Sequence, residues 1–287
     1  MYKGLMLTNA LPSAEKELAM FAYGVETLRK YDINHIEFYT KDETLVRKYG
    51  KIVKDNGYTS SFHGALDLKR SGWCRLCSED EIIRQKSVEF SKWSIEKAIS
   101  AGSVKAIIQS GRYPDESKYE AKCWDALAES LETLSSFAGE DIQIEIEPCD
   151  RSIEVCQLIG PAMATYTFMR NLNKKNVLLA MDTAHIALAF EDAIEAIKLC
   201  KPYSEHVHLT NCVVNPEADL YGDKHPMFGY PNGVFSDEQA QAIYKDILDL
   251  YGDETLYVAP EMICRDSDEK AYLDKLLASM PWFFEKV

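Results

Sequence analysis

Short apolar runs alternate with longer amphipathic runs along the chain. The short runs are rich in β-branched and aromatic residues and have the length of buried β-strands. The longer runs repeat their apolar residues with the spacing of a helix that buries one face. The strands are predicted at residues 4–9, 35–39, 59–64, 104–110, 142–148, 177–182, 206–211 and 255–262.

A helix is predicted after each strand, at residues 14–30, 43–56, 79–101, 116–138, 153–171, 191–200, 237–250 and 268–280. Several of these helices follow a serine or an aspartate, whose side-chain oxygen accepts hydrogen bonds from the free backbone N–H groups of a helix start. The predicted N-caps are Ser13, Asp42, Ser78, Asp115, Ser236 and Ser267.

The order of these elements predicts the fold class. Parallel strands need a long connection, which a helix supplies, and strand-helix-strand crossovers are right-handed. Eight such units can close into a barrel, and 287 residues are near the roughly 250 typical of that fold. The Gly-x-Gly-x-x-Gly motif of a dinucleotide-binding sheet does not follow the first strand. We predict an α/β fold with a single (β/α)8 TIM barrel domain over residues 1–287.

The net charge of the chain indicates which kinds of partner it can bind. The chain has 32 lysines and arginines against 46 aspartates and glutamates, a formal net charge of −14, and its pI is about 4.9. A chain this acidic repels a phosphate backbone, and no basic stripe offsets that repulsion. We therefore expect a small-molecule substrate and no nucleic acid partner.

The sequence also predicts a compartment. The N-terminus lacks a basic segment followed by an apolar core, and no window of about 18 uninterrupted apolar residues occurs. The 8 cysteines are too sparse for a disulfide scaffold. Cys74 and Cys77 lack the second pair or the histidines that a structural zinc site needs. We expect a cytoplasmic protein with no membrane partner.

The ends of the predicted strands carry the candidate chemistry, because active sites of parallel barrels lie at the carboxyl ends of the strands. Four consecutive strands end at or near a metal-binding residue type: Glu147, Asp182, His208 and Glu261. Three carboxylates and an imidazole at one rim would raise each other's pKa values unless a cation neutralised them. A divalent ion is the simplest remedy. Oxygen-dominated ligation favours Mn2+, with Mg2+, Co2+ and Zn2+ as competitors.

Four motifs resemble the xylose isomerase-like barrel superfamily, which includes ketose epimerases, hydroxypyruvate isomerases, inosose dehydratases and class IV apurinic endonucleases. Segment 147–151, Glu-Pro-Cys-Asp-Arg, is similar to the family's Glu-Pro-x-Asn-Arg, with Asp in place of Asn. Segment 182–185 is similar to Asp-Thr-x-His, segment 206–208 to His-x-His, and segment 260–261 to the last-strand Pro-Glu. The resemblance implies that Glu147, Asp182, His208 and Glu261 bind the metal and that His185 contacts substrate.

A further stretch is similar to the endonuclease branch. Residues 223–225 resemble the Asp-x-His element with which that branch holds additional zinc ions, and His63 matches another of its histidines. Gln109 stands where that branch has a histidine ligand, and an amide is a poor zinc ligand. We therefore interpret His63, Gln109, Asp223 and His225 as substrate contacts or, for the three ionisable residues, as part of a second ion site.

The remaining polar residues receive smaller roles. We expect His35, His206 and Glu145 to be packed and hydrogen-bonded inside the barrel, with Glu145 one layer below Glu147. Trp73 follows the third strand and is a candidate platform for a sugar. Arg151 is a candidate for positioning a substrate hydroxyl or carboxylate.

These residues suit proton transfer beside a carbonyl. A metal stabilises the enediolate, Glu147 and Glu261 act as base and acid, and His185 polarises a substrate oxygen or shuttles a proton. The predicted function is a metal-dependent isomerase or epimerase of a sugar, keto-sugar or polyol. The alternatives are a lyase or dehydratase with the same site, a phosphodiesterase of the apurinic endonuclease type, and a barrel that only binds a sugar. A homo-oligomer is expected by analogy alone.

Overall fold

Eight parallel strands form one sheet in the computed structural model, which describes residues 1–64 and 74–287. The strands are β1 (Tyr2–Lys3), β2 (His35–Phe38), β3 (Thr59–His63), β4 (Lys105–Ile108), β5 (Gln143–Ile146), β6 (Val177–Asp182), β7 (Ser204–Leu209) and β8 (Tyr257–Pro260). Each strand from β2 to β7 pairs with the next in sequence, and β8 also pairs with β1.

The sheet closes between β1 and β2 by a few backbone contacts. The N–H of Asn34 donates to the carbonyl of Lys3 and that of Glu37 to the carbonyl of Leu5, each at 3.0 Å. A parallel bridge joins Met6 to Glu37. The sheet is thus a nearly closed barrel, and the predicted (β/α)8 fold is confirmed.

Helices lie between the strands and cover the outside of the barrel. They are α1 (Leu7–Ala10), α2 (Leu18–Leu28), α3 (Glu43–Asp55), α4 (Glu81–Ala101), α5 (Glu120–Ala138), α6 (Ala162–Leu172), α7 (Thr183–Leu188), α8 (Ala193–Cys200), α9 (Asp237–Tyr251) and α10 (Glu269–Ser279). The main core lies between them and the outward faces of the strands, where Phe38, Phe62 and Ile144 are fully buried. None of the helices in the described part of the chain is long and apolar enough to cross a membrane.

Some of the predicted N-cap residues cap their helices in the structure, and others do not. Asp42 caps α3, and Ser236 caps α9 in a reciprocal pair with Gln239. The caps of α4 and α10 are Asp80 and Asp268, slightly later than predicted. The cap predicted at Asp115 is wrong, because a 3-10 turn at Ser117–Tyr119 precedes α5. Ser13 also lies in a 3-10 turn, Pro12–Glu15, and bonds Glu269.

Two predicted elements differ from the structure. Residues 7–9 of the first predicted strand lie in α1, since a short apolar run can be buried in either conformation. The helix predicted from residue 153 begins at Ala162, after Gly160-Pro161, where the residue before a proline disfavours helical geometry. Upstream, the carboxylate of Asp150 accepts the backbone N–H groups of residues 153–155 at 2.7 to 2.9 Å, which holds a loop instead.

Charged residues fill the lower interior of the barrel. Lys105 on β4 is buried and donates to Glu145 of β5, and His206 Nδ1 of β7 lies 2.6 Å from the other oxygen of Glu145. Burial would raise the pKa of Glu145, but the Lys105 and His206 charges lower it to about 2. This set confirms that Glu145 and His206 are packed and hydrogen-bonded, as expected.

We expect Lys105→Met to lower the free energy of unfolding by about 3–5 kcal/mol, because it leaves the buried Glu145 with one charged partner fewer. Urea unfolding followed by circular dichroism measures the loss. The double variant Lys105→Met/Glu145→Gln is the control, and it should recover part of the stability since the unpaired charge is gone. Because the folded pKa of Glu145 is depressed, its contribution is present above pH 4.5 and is lost as the pH falls towards 2. Equal stability of wild type and the single variant would contradict this account.

Candidate metal centre and active site

The carboxyl ends of β5 to β8 bring four predicted residues together. Glu147, Asp182, His208 and Glu261 are buried, and one potential ligand atom of each lies within 4.8 Å of those of the others. His208 Nδ1 is central: it lies 3.2 Å from Glu147 Oε1, 3.1 Å from Glu261 Oε2 and 3.9 Å from Asp182 Oδ2. We call these four residues the rim cluster.

The rim cluster has the donors that a divalent ion needs. Asp182 Oδ1 accepts from the N–H groups of Ala184 and His185 and from Thr210 Oγ1, and Glu261 Oε1 accepts from Asn9 Nδ2. Asp182 Oδ2 and Glu261 Oε2 are buried and have no hydrogen-bond partner among the described residues. Buried carboxylate oxygens without partners are costly, so the open sides of these two groups fit a cation. Three oxygen ligands and one nitrogen suit Mn2+ or a similar ion.

The pKa shifts in the rim cluster also show that its carboxylates favour a positive charge among them. Burial lowers the pKa of His208, but Glu37, Glu147 and Glu261 hold it well above its usual value. Burial raises the pKa of Glu147, and the His208 hydrogen bond and the His185 charge outweigh it and lower the pKa to about 2. The pKa of Glu261 is raised by burial and by the charge of Glu147. A protonated His208 therefore supplies positive charge that a bound ion would supply instead.

Glu37 of β2 is a central residue that sequence reasoning missed. Its Oε2 lies 2.6 Å from His63 Nε2 and 3.0 Å from His208 Nε2, and its Oε1 lies 2.9 Å from His206 Nε2. Burial would raise the pKa of Glu37, but the charges of His206 and His208 hold it well below its usual value. The signal was present: Glu37 is two residues from His35 on a strand and therefore faces the same way.

Two other histidines lie below the rim cluster. His35 has both ring nitrogens within 2.9 Å of hydroxyls of β3, Thr59 and Ser61, which agrees with the structural role expected. His63 was expected to contact substrate or a second ion. Its Nε2 is bound to Glu37, its ring stacks on His208 with centroids 5.4 Å apart, and it does not line the cavity above the rim cluster.

A cavity of about 320 Å³ opens above the rim cluster. Most of its lining residues carry polar side chains, with carboxylates and histidines among them, and they come largely from segments that follow the strands. The residues are Thr8, Asn9, Pro12, Glu15, Tyr39, Lys41, Gln109, Glu147, His185, Asp223, His225, Glu261 and Ile263. The predicted site residues Gln109, His185, Asp223 and His225 are thus at the cavity. Sequence reasoning missed Asn9, Glu15, Tyr39 and Lys41, although each follows one of the first two predicted strands or lies at its end.

His185, Asp223 and His225 form a second group beside the rim cluster. Asp223 Oδ1 lies 2.6 Å from His225 Nε2 and 3.8 Å from His185 Nδ1, and His185 Nε2 lies 4.0 Å from Glu147 Oε1. His225 Nδ1 donates to the carbonyl of Glu261 at 2.9 Å. Burial lowers the pKa of His225, but Asp223 raises it to about 10. Ligand atoms of Asp182, His185 and His225 also lie within 4.8 Å of one another, so the two histidines together with Asp182 have the residue types of an ion site.

The orientation of the Gln109 amide is determined by a chain of hydrogen bonds. Gln157 Oε1 accepts the backbone N–H of Gly111 at 3.0 Å, and its Nε2 donates to Gln109 Oε1 at 2.7 Å. Because a backbone N–H can only donate, the amide of Gln157 and then that of Gln109 are fixed. Gln109 therefore turns its N–H₂ group away from Gln157, towards Cys149 Sγ at 4.0 Å. Gln157 was not identified from the sequence.

Arg151 is a predicted substrate residue that another contact holds in the described part of the chain. The guanidinium of Arg151 donates to the carbonyl of Leu158 at 2.8 Å and lies over the ring of Tyr113, 4.6 Å from its centroid. It does not line the cavity. Trp73 lies outside the described residues.

Comparisons with known proteins agree with the fold. A family model described as "Xylose isomerase-like TIM barrel" matches residues 23–244. No curated protein sequence matches the chain. The chain is similar to the solved structure of 3-keto-D-glucoside 4-epimerase from E. coli, with a TM-score of 0.68 and 16% identity over 99% of this chain and 98% of that one. It is also similar to D-psicose 3-epimerase from Clostridium cellulolyticum H10, with a TM-score of 0.71 and 16% identity over 99% of this chain and 98% of that one. A third similar structure is D-allulose 3-epimerase from Methylomonas sp., with a TM-score of 0.73 and 15% identity over 99% of this chain and 98% of that one.

Proposed function

The chain belongs to the xylose isomerase-like TIM barrel family, and from this premise we propose that it is a divalent-metal-dependent isomerase or epimerase of a sugar, keto-sugar or polyol. One observation carries the proposal: the carboxylates of Glu147 and Glu261 lie 3.2 and 3.1 Å from the same nitrogen of His208, on the cavity wall. The similar solved structures are sugar epimerases by name, which supports the choice. We propose that residues 1–287 act as one barrel domain.

Glu147 and Glu261 are the proposed base and acid. They reach the cavity from β5 and β8, which are separated by two strands around the barrel, so they approach a bound substrate from different sides. A divalent ion, for which Mn2+ is our proposal, supplies Lewis-acid stabilisation of the negative charge that develops beside the substrate carbonyl. One carboxylate takes the proton from the carbon beside the carbonyl, and the other delivers a proton to the opposite face. Return of the proton to the neighbouring carbon instead gives isomerisation.

Two further residues are proposed to orient the substrate. His185 Nε2, 4.0 Å from Glu147 Oε1, polarises a substrate oxygen beside the base. Gln109 donates its N–H₂ group to a hydroxyl or carbonyl oxygen, since its own oxygen is bound by Gln157. Asp223 and His225 bind further hydroxyl groups on the same wall.

Charge in the cavity favours a neutral sugar. Glu15, Glu147, Asp223 and Glu261 line it, while Lys41 is the one lysine among its lining residues in the described part of the chain. A phosphate group would meet more negative than positive side chains there. The ketoses named in the similar structures, D-psicose (also called D-allulose) and D-tagatose, carry no phosphate.

A lyase that eliminates from a keto-sugar is the second candidate, because the same two carboxylates serve when a leaving group lies beside the carbanion. The phosphodiesterase alternative is not favoured. Gln109 replaces an imidazole with an amide, Glu37 occupies Nε2 of His63, and the net charge is −14.

The experiment that tests the function is solvent deuterium exchange with a panel of neutral ketoses and Mn2+, followed by proton NMR. We expect one ketose to take deuterium at the carbon beside its carbonyl and to be converted to its epimer or to an aldose. Exchange accompanied by loss of water would identify the lyase. No exchange across the panel, with bound metal verified by elemental analysis, would refute the proposed chemistry.

We expect Gln109→Glu to lower kcat/KM about 10–100-fold, equivalent to roughly 1.5–3 kcal/mol for a hydrogen bond to a developing charge. The variant keeps the side-chain shape but replaces the donor with an acceptor. Bound Mn2+ per chain should be unchanged. Gln157→Glu is the matched variant: it still accepts from Gly111 but no longer donates to Gln109, so it should reproduce part of the loss. Steady-state kinetics measure both, and wild-type kcat/KM in Gln109→Glu would exclude a donor role for Gln109.

A further inference from the structure

Glu37 is buried completely and lies outside the cavity, yet it contacts three imidazoles. His63, His206 and His208 each place Nε2 within 3.0 Å of one of its two oxygens. An ionised carboxylate is an acceptor only. Each of the three rings must therefore present an N–H group to Glu37.

This requirement determines which atom His208 turns to the rim cluster. A neutral imidazole has one N–H and one lone pair. When a bound ion replaces the second ring proton, Glu37 keeps the remaining proton at Nε2, and the lone pair of His208 is then at Nδ1, the atom that lies among Glu147, Asp182 and Glu261. Carboxylates that hold the second ring nitrogen of a metal-binding histidine commonly contribute 10–100-fold to ion affinity.

We propose that Glu37 is a positioning residue that selects Nδ1 of His208 as the nitrogen ligand of the rim cluster. The inference rests on the metal centre of the proposed function. Glu37 does not contact the substrate or the ion in this proposal, and it acts through His208 alone.

The neighbours of Glu37 explain why its position is rigid. His63 stacks on the ring of His208, and His206 meets that ring edge-on with centroids 4.7 Å apart. The other nitrogen of His206 lies 2.6 Å from Glu145, which also binds Lys105. A continuous row of paired charges and imidazoles thus runs from the lower barrel to the rim cluster, and Glu37 is the member that reaches His208.

The variant Glu37→Gln tests whether Glu37 positions the His208 ring or only neutralises the charge of the histidines around it. Glutamine keeps the size of the side chain and one acceptor oxygen, but its N–H₂ group faces at least one of the three rings, those of His63, His206 and His208. At least one ring must then accept instead of donate, so the tautomer of His208 or of its neighbours changes. Glu145→Gln is the matched control, since Glu145 lies two residues before Glu147 and, within the described part of the chain, its carboxylate binds His206 and Lys105 and makes no hydrogen bond or ion pair with His208.

The test is Mn2+ titration by calorimetry of wild type, Glu37→Gln and Glu145→Gln, with thermal unfolding of the metal-free proteins recorded in parallel. We expect Kd to rise about 10–100-fold in Glu37→Gln and less than about threefold in Glu145→Gln. A merely structural role would lower the unfolding temperature and leave the Kd of the folded protein unchanged. Equal Mn2+ affinity of wild type and Glu37→Gln would overturn the proposal. Failure of wild type to bind Mn2+ would instead refute the proposed metal centre.

A spectroscopic measurement identifies the ligand atom directly. In Zn2+-loaded protein, long-range nitrogen-proton correlation of the histidine side chains should show His208 with Nε2 protonated and Nδ1 bound to the ion. Binding through Nε2 in wild type would overturn the proposal. If Glu37→Gln does not fold, Glu37→Asp keeps the carboxylate on a stem shorter by one methylene. It should still raise the Kd for Mn2+ by more than about threefold, and an unchanged Kd would count against Glu37.

Discussion

Glu147→Gln is expected to lower the rate of sugar interconversion about 10²–10⁴-fold, the contribution typical of a positioned general base. Glutamine retains an oxygen of similar reach, 3.2 Å from His208 Nδ1 in the native glutamate, but it cannot take a proton from carbon. Glu261→Gln should lose activity to a similar degree because the return of the proton fails. Steady-state kcat with Mn2+ content measured on the same samples gives the result.

Deuterium exchange distinguishes the two carboxylates. If each serves one face of the substrate carbon, Glu147→Gln should still exchange the proton of one epimer, and Glu261→Gln that of the other, although neither interconverts them. Glu145→Gln is the control two residues before Glu147, and it should retain most of the activity since Glu145 is outside the cavity. A kcat near that of wild type in Glu147→Gln or in Glu261→Gln would show that the replaced carboxylate does not transfer the proton.

His208→Ala is expected to abolish Mn2+ binding at concentrations that saturate wild type. The change removes the one nitrogen donor of the rim cluster and leaves Glu37, Glu147 and Glu261 without their shared partner. The loss of affinity should exceed the roughly 10–100-fold typical of changes to residues behind the ligands. Elemental analysis after dialysis measures bound metal, and the rise in unfolding temperature on adding Mn2+ should disappear.

His35→Gln is the matched removal of an imidazole. His35 lies inside the barrel, and its two ring nitrogens hydrogen-bond the hydroxyls of Thr59 and Ser61. It should keep the stoichiometry and affinity of Mn2+ binding. Retention of one tightly bound ion per chain in His208→Ala would place the ion elsewhere, and the neighbouring set of Asp182, His185 and His225 would then be the first region to examine.

The rim residues could be predicted from the sequence because their positions depend on local periodicity. Glu147, Asp182, His208 and Glu261 each lie at or beside the end of a strand, and the ends of parallel strands meet at one edge. Placing the strands therefore places the side chains. The same reasoning failed for the first strand, where an apolar run of a few residues forms a helix as readily as a strand.

Which atom of a side chain is used depends on partners that are distant along the chain. Glu37 and His208 are 171 residues apart, and only closure of the barrel brings them to 3.0 Å. Arg151 and His63 had suitable positions for substrate contact, but a carbonyl and an aromatic ring hold the first and Glu37 holds the second. The sequence by itself determined the barrel and the residue types at its mouth, since strand and helix periodicity are local. Only the tertiary structure decided ring orientation, amide polarity and which polar groups remain open to a ligand, because these are settled by hydrogen bonds between strands.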